Sequence, residues 1–348
     1  MLSEKTKDKF ATAAGFTLIG LILGPILVII FFGYDFDRMI KGMVGGMLVL
    51  SFSAIFELFI FPAYFKKYRF IITVILRLIF YIDLICVTVI VIWVAHESFV
   101  NEMGFFDMMS TEKFVYFMIY GDFKYIFIAA VFAILIVVFF IQVNNLMGKG
   151  VLINYITGKY HKPKTEERIF MFLDLVASTE TAEKFGAKNY HKFMNTYFYD
   201  INDPIVESKG EIYQYAGDEV IISWTKKNGL ENNNCINCFF EIKNRIFILK
   251  EKYEEQFGIV PSNKAGIHSG EVVTGEVGDS KREIVFHGDV MNTTSRIQSV
   301  AKEIDKPLLI SEHLYNELNS KTGFKFTNLG AFKLKGKEEE IILYSVEK

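Results

Sequence analysis

Two aspartates in the second half of the chain stand where a carboxylate could bind a metal ion. Asp174 ends a near-continuous apolar run, Ile169 to Leu175, which predicts a buried strand. Asp218 follows a glycine in a turn between two further strand-like runs. An ionised carboxylate at the end of a buried strand is unfavourable unless it is paired or binds a cation. The two acids could converge on one cation, although strand-end acids are also common as structural groups and helix caps.

Ser178 and Thr179 follow Asp174 closely, where the chain leads into a predicted helix. The free backbone N–H groups at the start of a helix suit phosphate groups. Because Mg²⁺ prefers one or two carboxylates together with phosphate oxygens, this arrangement is compatible with a site for Mg²⁺ and a nucleotide.

Two further groups of polar residues lie nearer the C-terminus. Asn292 and Arg296 are four residues apart on a predicted helix, so they share one face. Such a pair can position a sugar and brace a phosphate, but a solvated helix face has the same pattern. Lys335 and Lys337 flank Gly336 between two predicted strands, which by itself indicates only a basic turn.

The elements that must position these residues alternate between strands and helices. The apolar patterns predict strands at residues 169–175, 211–215, 220–224, 265–278 and 283–286, with a final hairpin within 324–346. They predict helices at residues 181–201, 232–257 and 291–303. This order indicates an α+β or α/β sandwich in which helices pack on a sheet.

The first 150 residues have a different composition from the rest. They contain 23 charged residues, against 55 in the remaining 198, while 51% of the whole chain is hydrophobic. So much apolar surface excludes a disordered chain. Three cysteines are too few for a secreted disulfide scaffold, and a net charge of −2 gives no indication of nucleic-acid binding.

Long apolar stretches predict four transmembrane helices in this half, at about residues 10–34, 42–65, 70–95 and 125–148. The first stretch is too long for a cleaved signal peptide. Residues 104–121 are aromatic but contain charges, which predicts an interfacial segment outside the bilayer.

Positive charges predict the orientation of these helices. Lysines and arginines lie before the first helix, in the second loop and after the fourth helix, at Lys5, Lys7, Lys9, Lys66, Lys67, Arg69, Lys149, Lys159, Lys162 and Lys164. Both termini are therefore expected in the cytoplasm, with the chain passing repeatedly through an inner or plasma membrane.

Three charged residues fall inside the predicted membrane helices: Glu57, Arg77 and Asp83. Charges at that depth usually face the interior of a bundle. They could form an internal ion pair that holds the helices together, or a ligand site or signalling switch.

Four segments of the second half together resemble the class III nucleotide cyclases, the adenylate and guanylate cyclase catalytic domain. These segments read IFMFLDLVAST, YQYAGDEVIISW, AGIHSGEVVTGEVG and FHGDVMNTTSRIQ, in the order and spacing of the family. The resemblance implies an α+β catalytic domain at residues 167–348, with a ferredoxin-like core sheet and flanking helices. A linker at residues 149–166 would join it to the four-helix membrane domain at residues 1–148.

The resemblance also implies a role for individual residues. Asp174 and Asp218, helped by the backbone carbonyl of Leu175, would bind two Mg²⁺ or Mn²⁺ ions. The phosphates would lie against Ser178 and Thr179. Asn292 would orient the ribose and Arg296 would stabilise charge at the α-phosphate. Lys335, or Lys337 in the same turn, would contact the terminal phosphates.

The reaction implied is attack of the ribose 3′-OH on the α-phosphorus, which expels pyrophosphate. In this family the site forms across a head-to-tail dimer, so a homodimer with two composite sites is expected.

The residues expected to read the base depart from both family patterns. Gln214 stands where adenylate cyclases usually have lysine, and Val285 where they usually have aspartate or threonine. Guanylate cyclases typically have glutamate and cysteine at these places. His287 lies near the same pocket and could contact the substrate. ATP is the expected substrate, and GTP and the pyrimidine triphosphates remain alternatives.

Two classes of function follow from the resemblance. The chain is either an active membrane-anchored adenylate cyclase or a cyclase-like signalling protein that has lost catalysis. The presence of both acids, Asn292, Arg296 and a lysine favours activity. The membrane half is also expected to act as a receptor that signals through the linker.

Overall fold

The structure, a computed structural model, describes residues 4–65, 68, 70–148 and 151–348. The chain forms two compact units, Met1–Met147 and Gly148–Lys348. Four of the predicted orientation-setting residues, Lys66, Lys67, Arg69 and Lys149, lie outside the described residues.

The first unit consists of helices. They are α1 (Glu4–Phe32), α2 (Phe36–Ile55), α3 (Phe61–Tyr64), α4 (Phe70–Val100), α5 (Phe105–Met109), α6 (Glu112–Ile119) and α7 (Phe123–Met147), with a π-helical turn at Phe56–Ile60 after α2. Four helical stretches are long and apolar enough to cross a membrane: Lys9–Phe32, Phe36–Ile60, Ile71–Val100 and Glu112–Phe140. The fourth begins before the predicted residue 125, because α6 is apolar as well as helical.

Glycines allow α1 and α2 to pack backbone against backbone. A Cβ atom on Gly24 would overlap the carbonyl of Gly42, and one on Gly20 would overlap the carbonyl of Gly46. Small residues four apart permit this close approach of membrane helices. A hydrogen bond of 2.8 Å between the hydroxyls of Thr17 and Ser51 joins the same two helices.

The three charges predicted inside the membrane helices divide into a pair and a single exposed residue. Arg77, only 4% exposed, donates from Nε to Glu57 at 2.8 Å and from Nη2 at 3.2 Å. The Tyr81 hydroxyl donates to Glu57 at 2.6 Å, and the Arg77 guanidinium lies 3.6 Å from the centre of the Phe61 ring. Glu57 and Arg77 thus form the internal ion pair that was one of the two expectations, whereas the side chain of Asp83 is exposed.

The second unit is built on an eight-stranded sheet. Its strands are β1 (Lys164–Leu175), β2 (Glu211–Ala216), β3 (Glu219–Thr225), β4 (Asn263–Val277), β5 (Glu283–His287), β6 (Leu308–Ser311), β7 (Lys325–Lys333) and β8 (Glu340–Glu347). The order is β2-β3-β1-β4-β6-β8-β7, and β5 pairs with β4. The β4–β6 pair is parallel, and the other pairs are antiparallel.

Six helices pack around this sheet. They are α9 (Ser178–Glu207), α10 (Lys226–Leu230), α11 (Asn234–Ile248), α12 (Lys250–Phe257), α13 (Asp289–Glu303) and α14 (Glu312–Glu317), while the short α8 (Val151–Ile156), which precedes β1, has no buried residue. Side chains of β1 alternate between the two faces of the sheet. Ile169, Met171 and Leu173 pack in the core with α9 and α11, while Phe170 and Phe172 pack with Val290 of α13. Asp174 therefore points to the α13 face. The observed architecture is the expected α+β fold, a mixed sheet with flanking helices.

Two features of this unit differ from the sequence prediction. The single helix predicted at 232–257 is interrupted at Leu249, which has φ −93° and ψ 11°. The apolar spacing continues from Ile246 through Leu249 to Tyr253, so the interruption leaves no trace in the pattern. The short strand β6 and the short helices α8, α10 and α14 were not predicted.

Candidate active site

Asp174 lies at the contact between β1 and α13 and is 4% exposed. Its Oδ2 atom accepts a hydrogen bond of 3.0 Å from Gln298 Nε2 and forms an ion pair with Lys302 Nζ. Its Oδ1 atom is buried and has no hydrogen-bond partner among the described residues. A buried carboxylate oxygen is costly to leave unpaired, so it is suited to a ligand that the protein itself does not supply.

Asp218 lies at the same edge of the sheet as Asp174. The register pairs Asp174 with Glu219, the residue directly after Asp218. Asp218 occupies the tight turn between β2 and β3, where Gly217 has a positive φ of 67°. Burial raises the pKa of Glu219 to about 7, and the negative charge of Asp218 adds to the effect. The structure therefore brings the two predicted metal ligands to one place.

The loop after β1 forms one wall of a cleft of about 350 Å³. The cleft is lined by Leu175, Val176, Ala177, Ser178, Thr179, Glu180, Lys264 and Lys302. Ala177 has a left-handed conformation, φ 56° and ψ 33°, directly before α9 begins at Ser178, and it makes no side-chain cap. The first N–H groups of α9 lack partners within the helix, as phosphate binding requires. Ser178 and Thr179 thus line the cleft at the start of α9.

Tyr190 of α9 connects this loop to Asp218. Burial raises the pKa of Tyr190, the charge of Asp218 raises it further, and a hydrogen bond with Ser178 acts in the opposite direction. Tyr190 is thus close to both Ser178 and Asp218. The cleft, the loop and the two acids form a continuous site.

The residues present fit a divalent cation. Among the residues that the structure describes, no group of three or more His, Cys, Asp or Glu side chains could enclose a metal ion. Asp174 and Asp218 nevertheless supply two carboxylates, one with a free buried oxygen, and the carbonyl of Leu175 adjoins them. Mg²⁺ is commonly held by one or two carboxylates with water and phosphate completing its shell, which is the donor set that this cleft offers.

Helix α13 presents two faces with different surroundings. Gln298 and Lys302, four residues apart, contact Asp174. Asn292 and Arg296 form a second row on the helix, and Arg296 lies about 160° around it from Gln298 at 3.6 residues per turn. Asn292 is exposed and Arg296 half-buried. Within one chain, the structure does not bring Asn292 and Arg296 together with Asp174.

The turn at residues 335–337 lies against this second face. Gly336, with φ 70°, is so close to Arg296 that a Cβ atom on it would lie 3.4 Å from Nη2. Lys337 forms an ion pair with Asp289 at the start of α13. Lys335 is exposed and forms no ion pair with any residue in the described part of the chain. Of the two lysines that were predicted as alternatives, Lys335 is the one available to a ligand.

The three residues expected to read the base lie on β2 and β5. Phe286 of β5 packs against Tyr213 of β2 with ring centres 4.9 Å apart. Val285 is next to Phe286 in the sequence, and Gln214 is next to Tyr213. The Arg168 guanidinium lies 4.6 Å from the centre of the Phe286 ring. Gln214 and His287 are exposed, and Val285 is half-buried.

Comparison with known proteins places this geometry in a family. The family described as "Adenylate and Guanylate cyclase catalytic domain" matches residues 160–348. The chain belongs to this family. The match covers the whole sheet and every residue assigned to the cleft, to α13 and to the 335–337 turn.

Two curated relatives carry names from the same family. Adenylate cyclase 2 of Rhizobium meliloti (strain 1021) is 31% identical over 210 residues, which are 60% of this chain and 58% of that protein. The adenylate cyclase of Anabaena cylindrica is 26% identical over 189 residues, 53% of this chain and 37% of the relative. The chain thus spans less than two thirds of the length of either relative.

The cyclase fold is also found among solved structures. A bacterial light-regulated adenylyl cyclase superposes with a TM-score of 0.52 at 22% identity, over 59% of each chain. The sheet and flanking helices of Gly148–Lys348 therefore have the cyclase fold.

Sequence reasoning missed Lys264 and Lys302, which line the cleft, and Gln298, which contacts Asp174. Lys264 forms an ion pair of 2.6 Å with Asp305 and lines the cleft. Burial lowers the pKa of Lys302. The spacing of Gln298 and Lys302, four apart, could have placed both on one face of the helix, but nothing in the sequence indicates that this face meets Asp174.

Proposed function

We propose that the chain is a membrane-anchored adenylate cyclase that converts ATP to cyclic AMP and pyrophosphate as a homodimer. The observation that carries the proposal is the Asp174 carboxylate, which is buried with one free oxygen near Asp218 and a cleft of about 350 Å³. Family membership alone would be equally compatible with a silent cyclase domain. A site that retains its acids, its loop and its Asn–Arg row supports an active enzyme.

Asp174, Asp218 and the carbonyl of Leu175 would hold two Mg²⁺ or Mn²⁺ ions, whose charge polarises the phosphate oxygens and the attacking hydroxyl. The backbone N–H groups at Ser178 and Thr179 donate to the phosphates. In the reaction a bond forms between the ribose 3′-oxygen and the α-phosphorus, and the bond from that phosphorus to pyrophosphate breaks. The hydroxyl proton passes to solvent.

Asn292 hydrogen-bonds the ribose and holds the 3′-oxygen in line with the bond that breaks. Arg296 donates to the α-phosphate oxygens, where charge builds up. Lys335 contacts the terminal phosphates. The proximity of Arg296 to Gly336 supports this grouping, because the guanidinium and the lysine turn already adjoin each other.

Two copies of the chain are needed to complete one site. Gln298 and Lys302 hold one face of α13 against Asp174, so Asn292 and Arg296 project away from the metal ligands of their own chain. A second chain in head-to-tail contact supplies them instead. Such a symmetric dimer contains two equivalent sites.

The base is assigned to adenine on two grounds. Both curated relatives described above are named adenylate cyclases. The Gln214 amide can both donate and accept hydrogen bonds, as the adenine edge requires. Gln214 could also read GTP or a pyrimidine triphosphate, and Val285 offers no polar atom to discriminate between them.

The four long apolar helical stretches would anchor the enzyme in an inner or plasma membrane. Lys9 at the start of the first span and Lys159, Lys162 and Lys164 after the last favour a cytoplasmic location for both termini and the catalytic domain. ATP is present on that side. The membrane unit and the linker at 149–166 would then carry any signal to the cyclase unit.

The deciding experiment is incubation of the purified full chain with Mn²⁺ and each of the four nucleoside triphosphates in turn. We expect cyclic AMP as the main product. Asp174→Ala should abolish the product while the chain remains folded and dimeric, and Asp279→Ala, which removes an exposed acid in a loop, should retain it. A dimer that forms no cyclic product from any of the four would refute the enzyme and leave the silent signalling protein.

A further inference from the structure

Helix α4 carries an exposed ridge with a carboxylate in its middle. Ile75, Ile79, Asp83, Val87 and Val91 follow one another at intervals of four residues, and all five side chains are exposed. Residues four apart form a continuous ridge on a helix, which packs into the groove of a facing helix. Apart from Asp83, the ridge contains only isoleucine and valine, whose branched side chains are already stiff in a helix.

Asp83 is unpaired among the residues that the structure describes. It lies about 160° around the helix from Tyr81, whose side chain points into the bundle with Arg77. In the described part of the chain Asp83 forms no hydrogen bond and no ion pair, whereas Glu57, the other acid predicted inside the membrane helices, binds both Arg77 and Tyr81.

The position of Asp83 makes lipid an unfavourable neighbour. It follows Ile71, the first residue of its span, by twelve positions, which is about 18 Å along a helix with a rise of 1.5 Å per residue. The hydrocarbon core of a bilayer is about 30 Å thick, so Asp83 lies near its middle. Acidic side chains at that depth usually face protein.

A second copy of the chain is the occupant that the structure favours, and this step rests on the dimer of the proposed function. Two copies inserted in the same orientation bring their α4 helices together in parallel. Around a two-fold axis, equivalent residues of parallel helices meet each other. Asp83 then faces Asp83 of the second copy, where a protonated carboxyl can donate to the carboxylate opposite.

We propose that α4 pairs with α4 of a second copy inside the bilayer along the Ile75–Val91 ridge, and that the two Asp83 carboxyl groups share a proton at its centre. This contact joins the membrane units of the dimer independently of the contact between the cyclase units. It also explains a lone acid in an otherwise aliphatic outer face.

Disulfide crosslinking of the full chain in lipid vesicles tests the contact. In a Cys86→Ala background, cysteine is introduced by Ile79→Cys, Asp83→Cys or Val87→Cys, and copper–phenanthroline is the oxidant. Ile22→Cys is the matched control, since Ile22 is 63% exposed on α1, outside the ridge. We expect crosslinked dimers at 79, 83 and 87 and none at 22.

A second measurement isolates the carboxyl pair. The asparagine of Asp83→Asn can still form a hydrogen bond with the same residue of the second copy, and the leucine of Asp83→Leu cannot. In the Ile79→Cys chain we expect Asp83→Leu to slow crosslinking by about three- to twenty-fold, the range for one hydrogen bond between membrane helices. Asp83→Asn should retain the original rate, and equal rates for both variants would overturn the shared proton.

The outcomes separate this inference from the proposed function. The dimer of cyclase units is measured in the same vesicles with an amine-reactive crosslinker. A chain that is dimeric by that reagent and forms cyclic product, but does not crosslink at 79, 83 or 87, would overturn the α4 contact and leave the proposed function intact. An active chain that is monomeric by both methods would overturn the contact and the composite site together.

Discussion

The Lys302 ammonium and the Asp174 carboxylate form an ion pair across the contact between α13 and β1. Gln298 binds the same carboxylate oxygen at 3.0 Å, and the other oxygen is buried without a partner. A divalent cation at Asp174 would therefore share the carboxylate with a positive charge already present. The affinity of the proposed site for metal would then depend on that ammonium as well as on the two acids.

Removing this ammonium should strengthen metal binding. We expect Lys302→Ala to lower the Mn²⁺ concentration that half-saturates the full chain by about three- to tenfold, because the cation no longer competes with a partly exposed ion pair. Calorimetric titration with Mn²⁺, without nucleotide, measures the change. Lys264→Ala is the control, since Lys264 lines the same cleft but pairs with Asp305. Weaker Mn²⁺ binding by Lys302→Ala would contradict the prediction.

Substitutions on β2 and β5 should change which nucleoside triphosphate the cyclase prefers. Gln214→Lys together with Val285→Thr supplies a cationic donor and a hydroxyl where the chain has an amide and a methyl group. We expect the ratio of cyclic AMP to cyclic GMP to rise by about tenfold, since hydrogen-bonding groups matched to a substrate discriminate strongly. Product analysis from equimolar ATP and GTP gives the ratio. Glu283→Gln, at the exposed start of β5, should leave it unchanged.

His268 should make the cyclase unit less stable in acid. Its Nδ1 lies 2.7 Å from the Ser311 hydroxyl, and burial lowers its pKa from 6.5 to about 4, with further lowering by His313 and Lys337. Asp289 and Glu317 act in the opposite direction. The unfolded chain therefore takes up a proton at higher pH than the folded chain, and stability is lost as the pH falls from 6.5 towards 4.

Between pH 7 and pH 5 we expect this histidine to remove about 2 kcal/mol from the free energy of unfolding. Urea unfolding of Gly148–Lys348 at the two pH values measures the loss. His268→Gln keeps a group that can bond Ser311 but cannot titrate, so its loss over the same interval should be smaller by that amount. Identical pH dependence in both proteins would show that His268 does not sense acid.

The glycine contact between α1 and α2 should be sensitive to a single side chain. Gly24→Val places atoms where the Gly42 carbonyl lies, so we expect the two helices to separate and the folded yield in detergent to fall severalfold. Gly15→Val lies on the same helix with nothing within 4 Å of its Cβ position, and it should express normally. Size-exclusion chromatography compares the two, and equal yields would show that the close approach is not needed.

The parts of the site that could be predicted are those encoded locally. Asp174 and Asp218 meet because a hairpin and a neighbouring strand pair in register, and each strand is visible as an apolar run. Lys302 is 128 positions from Asp174 along the chain, and no spacing rule links them. Their contact depends on which face of α13 packs against the sheet, which emerges only from the assembled fold.

The fold shows the same limit. The long strands and α9 follow from their apolar periodicity, whereas β6 has only four residues, Leu308–Ser311, and is too short to show a period. Glu57 and Arg77 were recognisable as membrane charges, but only the structure shows that a π-helical turn brings Glu57 within hydrogen-bond distance of Arg77 and Tyr81. The local spacing of residues predicts where a helix forms, but it does not predict which helices pack together.

The two faces of α13 have a genetic consequence. If the site is composite, as proposed, we expect a copy with Asp174→Ala and a copy with Arg296→Ala each to be inactive as homodimers, because every site in them would lack one component. A cell that expresses both copies forms mixed dimers in which one of the two sites draws an intact acid pair from one chain and an intact Asn–Arg row from the other. Two null alleles of this gene would then complement each other, whereas two alleles damaged on the same face would not.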